Sequence, residues 1–263
     1  MRGAGKRASA NEGLLVQIRA IHAETKRRYG SRKMHRALGR AGTHVNHKRV
    51  TRLMQQNGLV SRRFKRRRFK VTTDSNHGLP VAPNVLNREF TADRPNVKWV
   101  SDITYVPTRE GWLYLAVVLD LFSRRAVGWA MSDRMTRQLV IDAFEMAMQA
   151  RIVAVGGTTA ELMFHSDRGG QYASDDFVDL IGVFDITQSM SRKADCWDNA
   201  VAESFWASYK AECLPEDGND FDTRAQAKTE TFEYIEVFYN RKRIHSTLGY
   251  LTPAEFDANA GVT

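Results

Sequence analysis

Three acidic residues in the second half of the sequence have surroundings that make them candidates for chemistry. Asp102 lies within an otherwise apolar run, where an ionised carboxylate is costly to bury unless it is paired or coordinated, and Asp167 ends another such run. Glu203 belongs to a predicted helix on which Asn199 and Lys210 share its face. Carboxylate oxygens from separate elements suit Mg²⁺ or Mn²⁺. Taken singly, however, each acid is better explained by a salt bridge or a helix cap.

The elements that must position these acids begin as strands and continue as alternating helices and strands. Runs rich in β-branched and aromatic residues at 99–106, 112–119 and 126–131 are separated by turns and predict an antiparallel meander. Further strands are predicted at 162–165 and 186–189, and helices from about residue 136, around 177–181 and over 198–210. This order predicts the α/β class, with a mixed five-stranded sheet and helices on its faces.

The charge is divided unevenly along the chain. The sequence of 263 residues carries a formal net charge of +9. Residues 1–98 contain 24 Lys and Arg but 5 Asp and Glu, a net charge of +19, which leaves −10 on the remainder. Such an asymmetry indicates a nucleic-acid-binding N-terminal part joined to a domain that tolerates, or uses, clustered carboxylates.

Short amphipathic helices are predicted in the basic N-terminal part. Apolar residues recur at helical spacing over 14–21 and again over 34–38, and a third helix is capped by Asn46 and closed by Gly58. Helices joined by Gly-containing turns outline a helix-turn-helix, for which a small bundle with a solvated basic face is the alternative. The cations on the outer face of the third helix, predicted to contact DNA, are Lys48, Arg49 and Arg52.

A run of cations follows these helices. Residues 61–70 hold seven Lys and Arg side chains, which repel one another unless phosphate groups neutralise them. Phe64 and Phe69 are suited to stack on bases or to wedge between them, although a charged linker or a localisation signal also explains such a run. Residues 71–96 lack periodicity and are predicted to be a linker. The DNA contacts predicted in the run are Arg62, Arg63, Lys65, Arg66, Arg67, Arg68 and Lys70.

The composition argues against several other classes of protein and site. Cys196 and Cys213 are the only cysteines, so neither a disulfide framework nor a paired-cysteine zinc site is expected. Without such cysteines, His44 and His47 are better explained as surface or phosphate-contacting residues than as zinc ligands. The apolar run 113–119 is far shorter than the roughly 20 residues of a membrane span, and the N-terminus does not resemble a signal peptide. We therefore expect a cytoplasmic protein without a membrane partner.

Four motifs occur in a fixed order along the chain. They are Ser101–Tyr105 (SDITY), His165–Tyr172 (HSDRGGQY), Ser189–Ser204 (with SMSRK and DNAVAES), and Tyr239–Gly249 followed by Pro253. In this order they resemble the second-frame (OrfB) subunit of the copy-out, paste-in insertion-sequence transposases, members of the DDE transposase and retroviral-integrase superfamily. The 35 residues between Asp167 and Glu203 match the spacing of that catalytic triad. Residues 29–59 resemble the helix-turn-helix module that precedes the catalytic domain in this family.

The resemblance implies an RNase H-like catalytic domain preceded by a small all-α helix-turn-helix domain. It implies Asp102 on the first strand, Asp167 just after the fourth strand and Glu203 on a following helix. In a two-metal site with Mg²⁺ or Mn²⁺, Asp102 would bridge both ions while Asp167 and Glu203 each complete one. Water would then cut at the end of the element, and the freed 3′-hydroxyl would attack a second phosphodiester in the same site.

Four further polar side chains occur in the motifs that contain the triad. His165, Gln171, Asn199 and Lys210 are candidates for supporting the metal ligands or contacting DNA, and a structural role explains each of them equally well. We include Asn199 and Lys210 among the predicted DNA contacts. The C-terminal motif would pack against the catalytic domain or hold DNA.

The domain division follows from the charge, the elements and the resemblance. We predict a helix-turn-helix domain over 1–60, a basic arm and linker over 61–96, a catalytic core over 97–215 and a C-terminal helical extension over 216–263. The expected partners are the terminal repeats and target DNA, further copies of this chain on DNA, and a first-frame (OrfA) product as partner or upstream fusion. The expected location is the bacterial cytoplasm, in association with the nucleoid.

Two alternatives to a transposase stay open from the sequence. The first is a non-catalytic DNA-binding regulatory protein, which metal-dependent nicking of DNA would exclude. The second is an RNase H-like nuclease without strand transfer, which joined products on supplied 3′-hydroxyl ends would exclude.

Overall fold

The computed structural model of the chain describes residues 5–62, 78–154, 157–193 and 195–261. Most of the predicted basic run, from Arg63 to Lys70, therefore lies outside the described residues. Within the described ranges, no helix combines the length and the apolar composition needed to cross a bilayer.

The N-terminal module consists of the predicted helices. They are α1 (Lys6–Glu24), α2 (Ser31–Arg40) and α3 (His47–Gln56). Asn46 caps α3 as predicted, since its side chain accepts a 2.8 Å hydrogen bond from the backbone N–H of Lys48. A separate apolar cluster joins the three helices, with Ile18, Met34, Leu38 and Val50 fully buried at its centre. The apolar periodicity in the sequence thus becomes the core of this module.

The predicted mixed five-stranded sheet is confirmed. Its strands are β1 (Lys98–Thr108), β2 (Gly111–Asp120), β3 (Ala126–Ser132), β4 (Met163–Ser166) and β5 (Thr187–Met190). The spatial order is β3-β2-β1-β4-β5, in which β1, β2 and β3 are antiparallel while β4 and β5 run parallel to β1. The central strand β1 therefore contains Asp102, and the neighbouring strand β4 ends directly before Asp167.

Helices cover both faces of the sheet, and neighbouring residues of β1 enter different cores. Trp99 packs with α4 (Arg137–Met148) and α5 (Asp175–Val183), whereas Val100 packs on the side of α6 (Ala200–Glu212). Helix α4 approaches β3 so closely that a Cβ at Gly128 would lie 2.2 Å from the carbonyl oxygen of Ala143. Asp102 lies two residues beyond Val100 and so faces α6.

The C-terminal segment joins the N-terminal module to the sheet. It contains α7 (Arg224–Phe232), a π-helical stretch (Glu233–Tyr239) and α8 (Pro253–Asn259). The side chain of Asn240 pairs with both backbone groups of Ala126 at the start of β3. The Tyr29 hydroxyl donates to the carbonyl of Lys242 at 2.8 Å and accepts from the N–H of Ile244 at 3.0 Å. The C-terminal motif therefore contacts both the helical module and the five-stranded sheet.

Candidate active site

Asp102 is held in the middle of β1 beneath helix α6. The indole N–H of Trp206 on α6 donates to Asp102 Oδ2 at 2.9 Å. Burial and the neighbouring negative charge of Asp167 raise the pKa of Asp102 to about 8, although the positive charge of Lys210 opposes them. The ionised form of Asp102 is therefore disfavoured unless further positive charge lies nearby.

Asp167 reaches Asp102 because β4 is the parallel neighbour of β1. Gly169 N–H donates to Asp167 Oδ1 at 2.9 Å, which orients the carboxylate in the loop after the strand. Tyr172 lies beside both acids: burial raises its pKa well above the ordinary value, and the charges of Asp102 and Asp167 raise it further. Its hydroxyl forms a 2.8 Å hydrogen bond with Ser101 Oγ. The two carboxylates thus form one site at the centre of the sheet.

Glu203 lies on the same helix as Trp206, three residues before it, so both belong to the face that α6 turns towards β1. The Glu203 side chain is exposed, and partial burial raises its pKa. Within the described parts of the chain, no three His, Cys, Asp or Glu side chains are close enough together to form a ready metal site. The structure therefore brings Asp102 and Asp167 together, and it does not join Glu203 to them in a three-carboxylate cluster among the described residues.

Comparisons with known proteins agree with this architecture. Residues 92–196 and 184–253 match the family description "integrase core domain", and residues 9–68 match "HTH-like domain". The transposase InsF of insertion sequence IS3A from Escherichia coli is 42% identical over 240 residues, covering 91% of this chain and 80% of InsF. The transposase of IS904 from Lactococcus lactis is 40% identical over 255 residues, covering 96% of both chains. The chain belongs to the IS3 family of insertion-sequence transposases.

Other relatives and solved structures extend the comparison. An uncharacterized 31 kDa protein of insertion element IS600 from Shigella sonnei is 42% identical to the transposase over 250 residues, or 95% of this chain and 89% of that protein. The simian T-cell lymphotropic virus intasome aligns with a TM-score of 0.47 at 15% identity, covering 90% of this chain and 73% of the other. The HTLV-2 integrase catalytic core, solved with magnesium, aligns with a TM-score of 0.43 at 18% identity, covering 63% and 98% respectively.

Asn199 directly precedes α6 and Lys210 lies in its last turn. The two side chains have different surroundings. Lys210 Nζ lies 5.9 Å from the centre of the Tyr105 ring, and burial lowers its pKa against the opposing charge of Asp102. Asn199 is 6% exposed and donates from Nδ2 to the carbonyl of Ser101 at 3.2 Å. Asn199 therefore braces α6 against β1, while DNA contact by either residue stays a prediction.

His165 and Gln171 have structural contacts around the carboxylates. His165 is fully buried between β4 and β5, where Nδ1 lies 2.9 Å from Ser189 Oγ and Nε2 lies 3.2 Å from Ser191 Oγ. Burial lowers the pKa of His165 to about 4, so the ring is neutral at pH 7. Gln171 Nε2 donates to the carbonyl of Met135 at 3.3 Å. The sequence did not identify Trp206, although its position three residues after Glu203 offered a signal.

The predicted DNA-contacting cations fall into three groups in the structure. Lys48 and Arg52 are exposed on α3, as a DNA-contacting face requires. Arg49 Nε donates to Asn11 Oδ1 at 2.9 Å, and Arg62 donates to the carbonyls of Glu212 and Leu214 at 3.1 and 2.9 Å. Arg62 thus contacts the end of α6. The cations outside the described residues are Arg63, Lys65, Arg66, Arg67, Arg68 and Lys70.

Proposed function

We propose that Asp102, Asp167 and Glu203 are the catalytic residues of this DNA transposase, which cleaves strands at the ends of an insertion sequence and transfers their 3′-hydroxyl groups. The observation that carries the proposal is the pair of neighbouring carboxylates on β1 and after β4. Burial and the charge of Asp167 raise the pKa of Asp102 to about 8, even though Lys210 is nearby. An enzyme that cuts phosphodiesters in a two-metal site needs such a concentration of negative charge.

The donor set fits Mg²⁺ or Mn²⁺. All three side chains present carboxylate oxygens, which are the ligands that these hard cations prefer. The mutual repulsion of Asp102 and Asp167 is relieved when a divalent cation lies between them. Two bound ions would polarise the scissile phosphate and activate the attacking oxygen. Glu203, whose side chain is exposed on α6, would complete the set.

The chain's own side chains orient these acids and neutralise the substrate. Trp206 holds Asp102 Oδ2 at 2.9 Å, and the Gly169 N–H holds Asp167 Oδ1 at 2.9 Å, so each carboxylate has a defined orientation. Lys210 places positive charge beside Asp102, where a phosphate of the DNA would approach.

DNA binding involves both parts of the chain. Lys48 and Arg52 on α3 and the basic arm would neutralise phosphates away from the catalytic carboxylates. The proposed domains are a helix-turn-helix domain over 1–60, a basic arm and linker over 61–96, a catalytic core over 97–215 and a C-terminal helical extension over 216–263. The proposed partners are terminal-repeat and target DNA, further copies of this chain on that DNA, and a first-frame (OrfA) partner or fusion in the bacterial cytoplasm.

The test is strand transfer by the full chain on pre-cut terminal-repeat DNA with Mg²⁺. Asp102→Ala, Asp167→Ala and Glu203→Ala should each lower the rate about a thousandfold or more, because each removes charge that stabilises the transition state by several kcal/mol. Glu145→Gln, which alters an exposed acid on α4, is the matched control and should retain the rate. Full activity of Asp102→Ala or Glu203→Ala would refute the proposed triad.

A further inference from the structure

Trp197 exposes an indole ring beside the proposed active site. It lies in the short 3-10 turn (Cys196–Asn199) that leads into α6, and it is 68% exposed. Trp112 is 38% exposed and its ring packs edge-on against Tyr105, whereas Trp99 and Trp206 are buried. Leaving an indole this exposed forgoes a large apolar burial. The position therefore favours a binding partner over a structural role.

A buried ionic cluster holds Asp198, the residue that directly follows Trp197. The fully buried carboxylate of Asp198 accepts bonds from Arg192 Nε at 2.9 Å and Nη2 at 2.7 Å, from Arg88 Nε at 2.8 Å, and from Asn84 Nδ2 at 2.8 Å. The backbone N–H of Trp197 donates to Asp195 Oδ1 at 3.2 Å. The indole is thus presented to solvent by a firmly anchored loop.

The same loop is tied to the strands that carry the proposed catalytic acids. Asn199 donates to the carbonyl of Ser101, the residue before Asp102, at 3.2 Å. At the other end of the loop, Arg168 Nε donates to the carbonyl of Ser191 at 2.5 Å, and Arg168 directly follows Asp167. The segment that contains Trp197 is therefore bonded, on both sides of this residue, to residues next to the proposed catalytic acids.

The surroundings of the indole favour a nucleic acid over a protein partner. Lys193 on the loop is exposed, and Arg192 and Arg88 keep 48% and 44% of their side chains exposed while they bind Asp198 and Asp195. A single indole among cations lacks the roughly 800 Å² that each partner contributes to a stable protein interface. An aromatic ring beside partly exposed cations is instead an arrangement that suits stacking on an unpaired base.

We propose that Trp197 stacks on a nucleobase that is unpaired at the DNA end, next to the scissile phosphodiester, and so holds the end open for the catalytic carboxylates. This inference rests on the proposed function, because it locates the scissile phosphate at Asp102 and Asp167. Stacking of this kind compensates for the cost of opening the terminal base pairs.

The experiment compares fully paired terminal-repeat ends with ends whose terminal base pairs are mismatched, using the full chain. On paired ends, Trp197→Ala should lower cleavage roughly tenfold to a hundredfold, as expected when one base stack is lost. Trp197→Phe keeps an aromatic face and should retain most of the activity. Mismatched ends should restore much of the activity of Trp197→Ala. Phe232→Ala, which removes a 52% exposed aromatic side chain on α7, is the matched control.

A second measurement separates this inference from the triad. In an Asp102→Asn background, the ratio of affinities for mismatched and paired ends is measured by fluorescence anisotropy, so no cleavage is required. This ratio should fall roughly tenfold or more when Trp197→Ala is added, because the unpaired base of a mismatched end stacks without first breaking a base pair and so loses the larger share of the binding energy. Equal losses on paired and mismatched ends, no loss at all, or an altered oligomeric state with unchanged DNA binding would overturn the proposal for Trp197. Activity of Asp102→Asn would overturn the triad instead, and the affinity ratio would still be informative.

Discussion

Buried carboxylates in two regions of this transposase have opposite electrostatic surroundings. At the centre of the sheet, burial and the charge of Asp167 raise the pKa of Asp102 to about 8. At the end of α6, burial alone would raise the pKa of Glu212, but the charges of Arg243 and Lys33 outweigh it and lower that pKa. A carboxylate surrounded by cations is committed to structure, whereas one facing another acid remains available to a metal ion.

The Glu212 region forms the seam between the N-terminal module and the catalytic domain. Glu212 Oε2 accepts from Arg243 Nε at 2.7 Å and from the Tyr234 hydroxyl at 3.0 Å, while Lys33 Nζ lies 3.4 Å from Oε1. Arg28 Nε donates to the Glu212 carbonyl at 2.9 Å. Since α6 also carries Glu203, the seam holds the N-terminal helices in a defined relation to the helix that carries this proposed catalytic residue.

The largest expected effect is at the sheet centre. Asp102→Asn should lower the rate of strand transfer about a thousandfold or more. Without metal, however, the variant should have a melting temperature no lower than that of wild type, because the substitution removes the repulsion between Asp102 and Asp167. Mg²⁺ should raise the melting temperature of wild type through binding to the folded state, and it should raise that of the variant much less. Thermal melts with and without MgCl₂ measure this difference. An equal rise in both proteins would contradict the assignment of Asp102 as a metal ligand.

The second prediction concerns the seam. Glu212→Ala should lower the free energy of unfolding by about 3–5 kcal/mol, because it leaves Arg243 buried without its partner. Urea unfolding measures the change. Glu212→Gln keeps acceptor and donor atoms at the same place and should destabilise less. A loss below about 1 kcal/mol in Glu212→Ala would mean that the seam is not held by this carboxylate.

The third prediction concerns Asp198, whose pKa is shifted in the opposite direction to that of Asp102. Hydrogen bonds from Arg192 hold the pKa of Asp198 well below its usual range. A carboxyl with a depressed folded-state pKa contributes stability that is present above its unfolded pKa, near 4, and is lost as pH falls through the folded-state pKa. Asp198→Asn should therefore melt about 5 °C below wild type at pH 7, and the gap should narrow below pH 4. A gap that stays constant with pH would exclude this ionic contribution.

The smallest effect is expected for an ion pair at the surface. Arg40 Nη2 lies 2.5 Å from Glu255 Oε1, with 37% and 42% of the two side chains exposed. Glu255→Gln should change the free energy of unfolding by less than about 1 kcal/mol, since solvent screens exposed pairs. The same urea titration that tests the seam measures this value. A loss as large as that of Glu212→Ala would remove the distinction between buried and exposed pairs.

Most helices and strands, and the choice of candidate catalytic acids, could be predicted from patterns between neighbouring residues in the sequence. The periodicity around Ile18 and Val50 predicted helices, and the runs before Asp167 predicted strands, because burial of one face is recorded directly in sequence spacing. Asp102 was recognisable because an acid inside an apolar strand is unusual. The catalytic role of these acids is still a prediction that the proposed variants test.

The sequence alone therefore determined which helices and strands form and which acids lie in unusually apolar segments, since both depend on the residues nearby in the sequence. Only the tertiary structure decided the partners of each charge. It placed Trp206 on Asp102, left Glu203 outside a closed cluster, and turned Arg62 towards the carbonyl oxygens at the end of α6. It also showed that the C-terminal motif joins the helical module to the sheet. Such contacts join residues up to 218 positions apart, and packing rather than local spacing determines them.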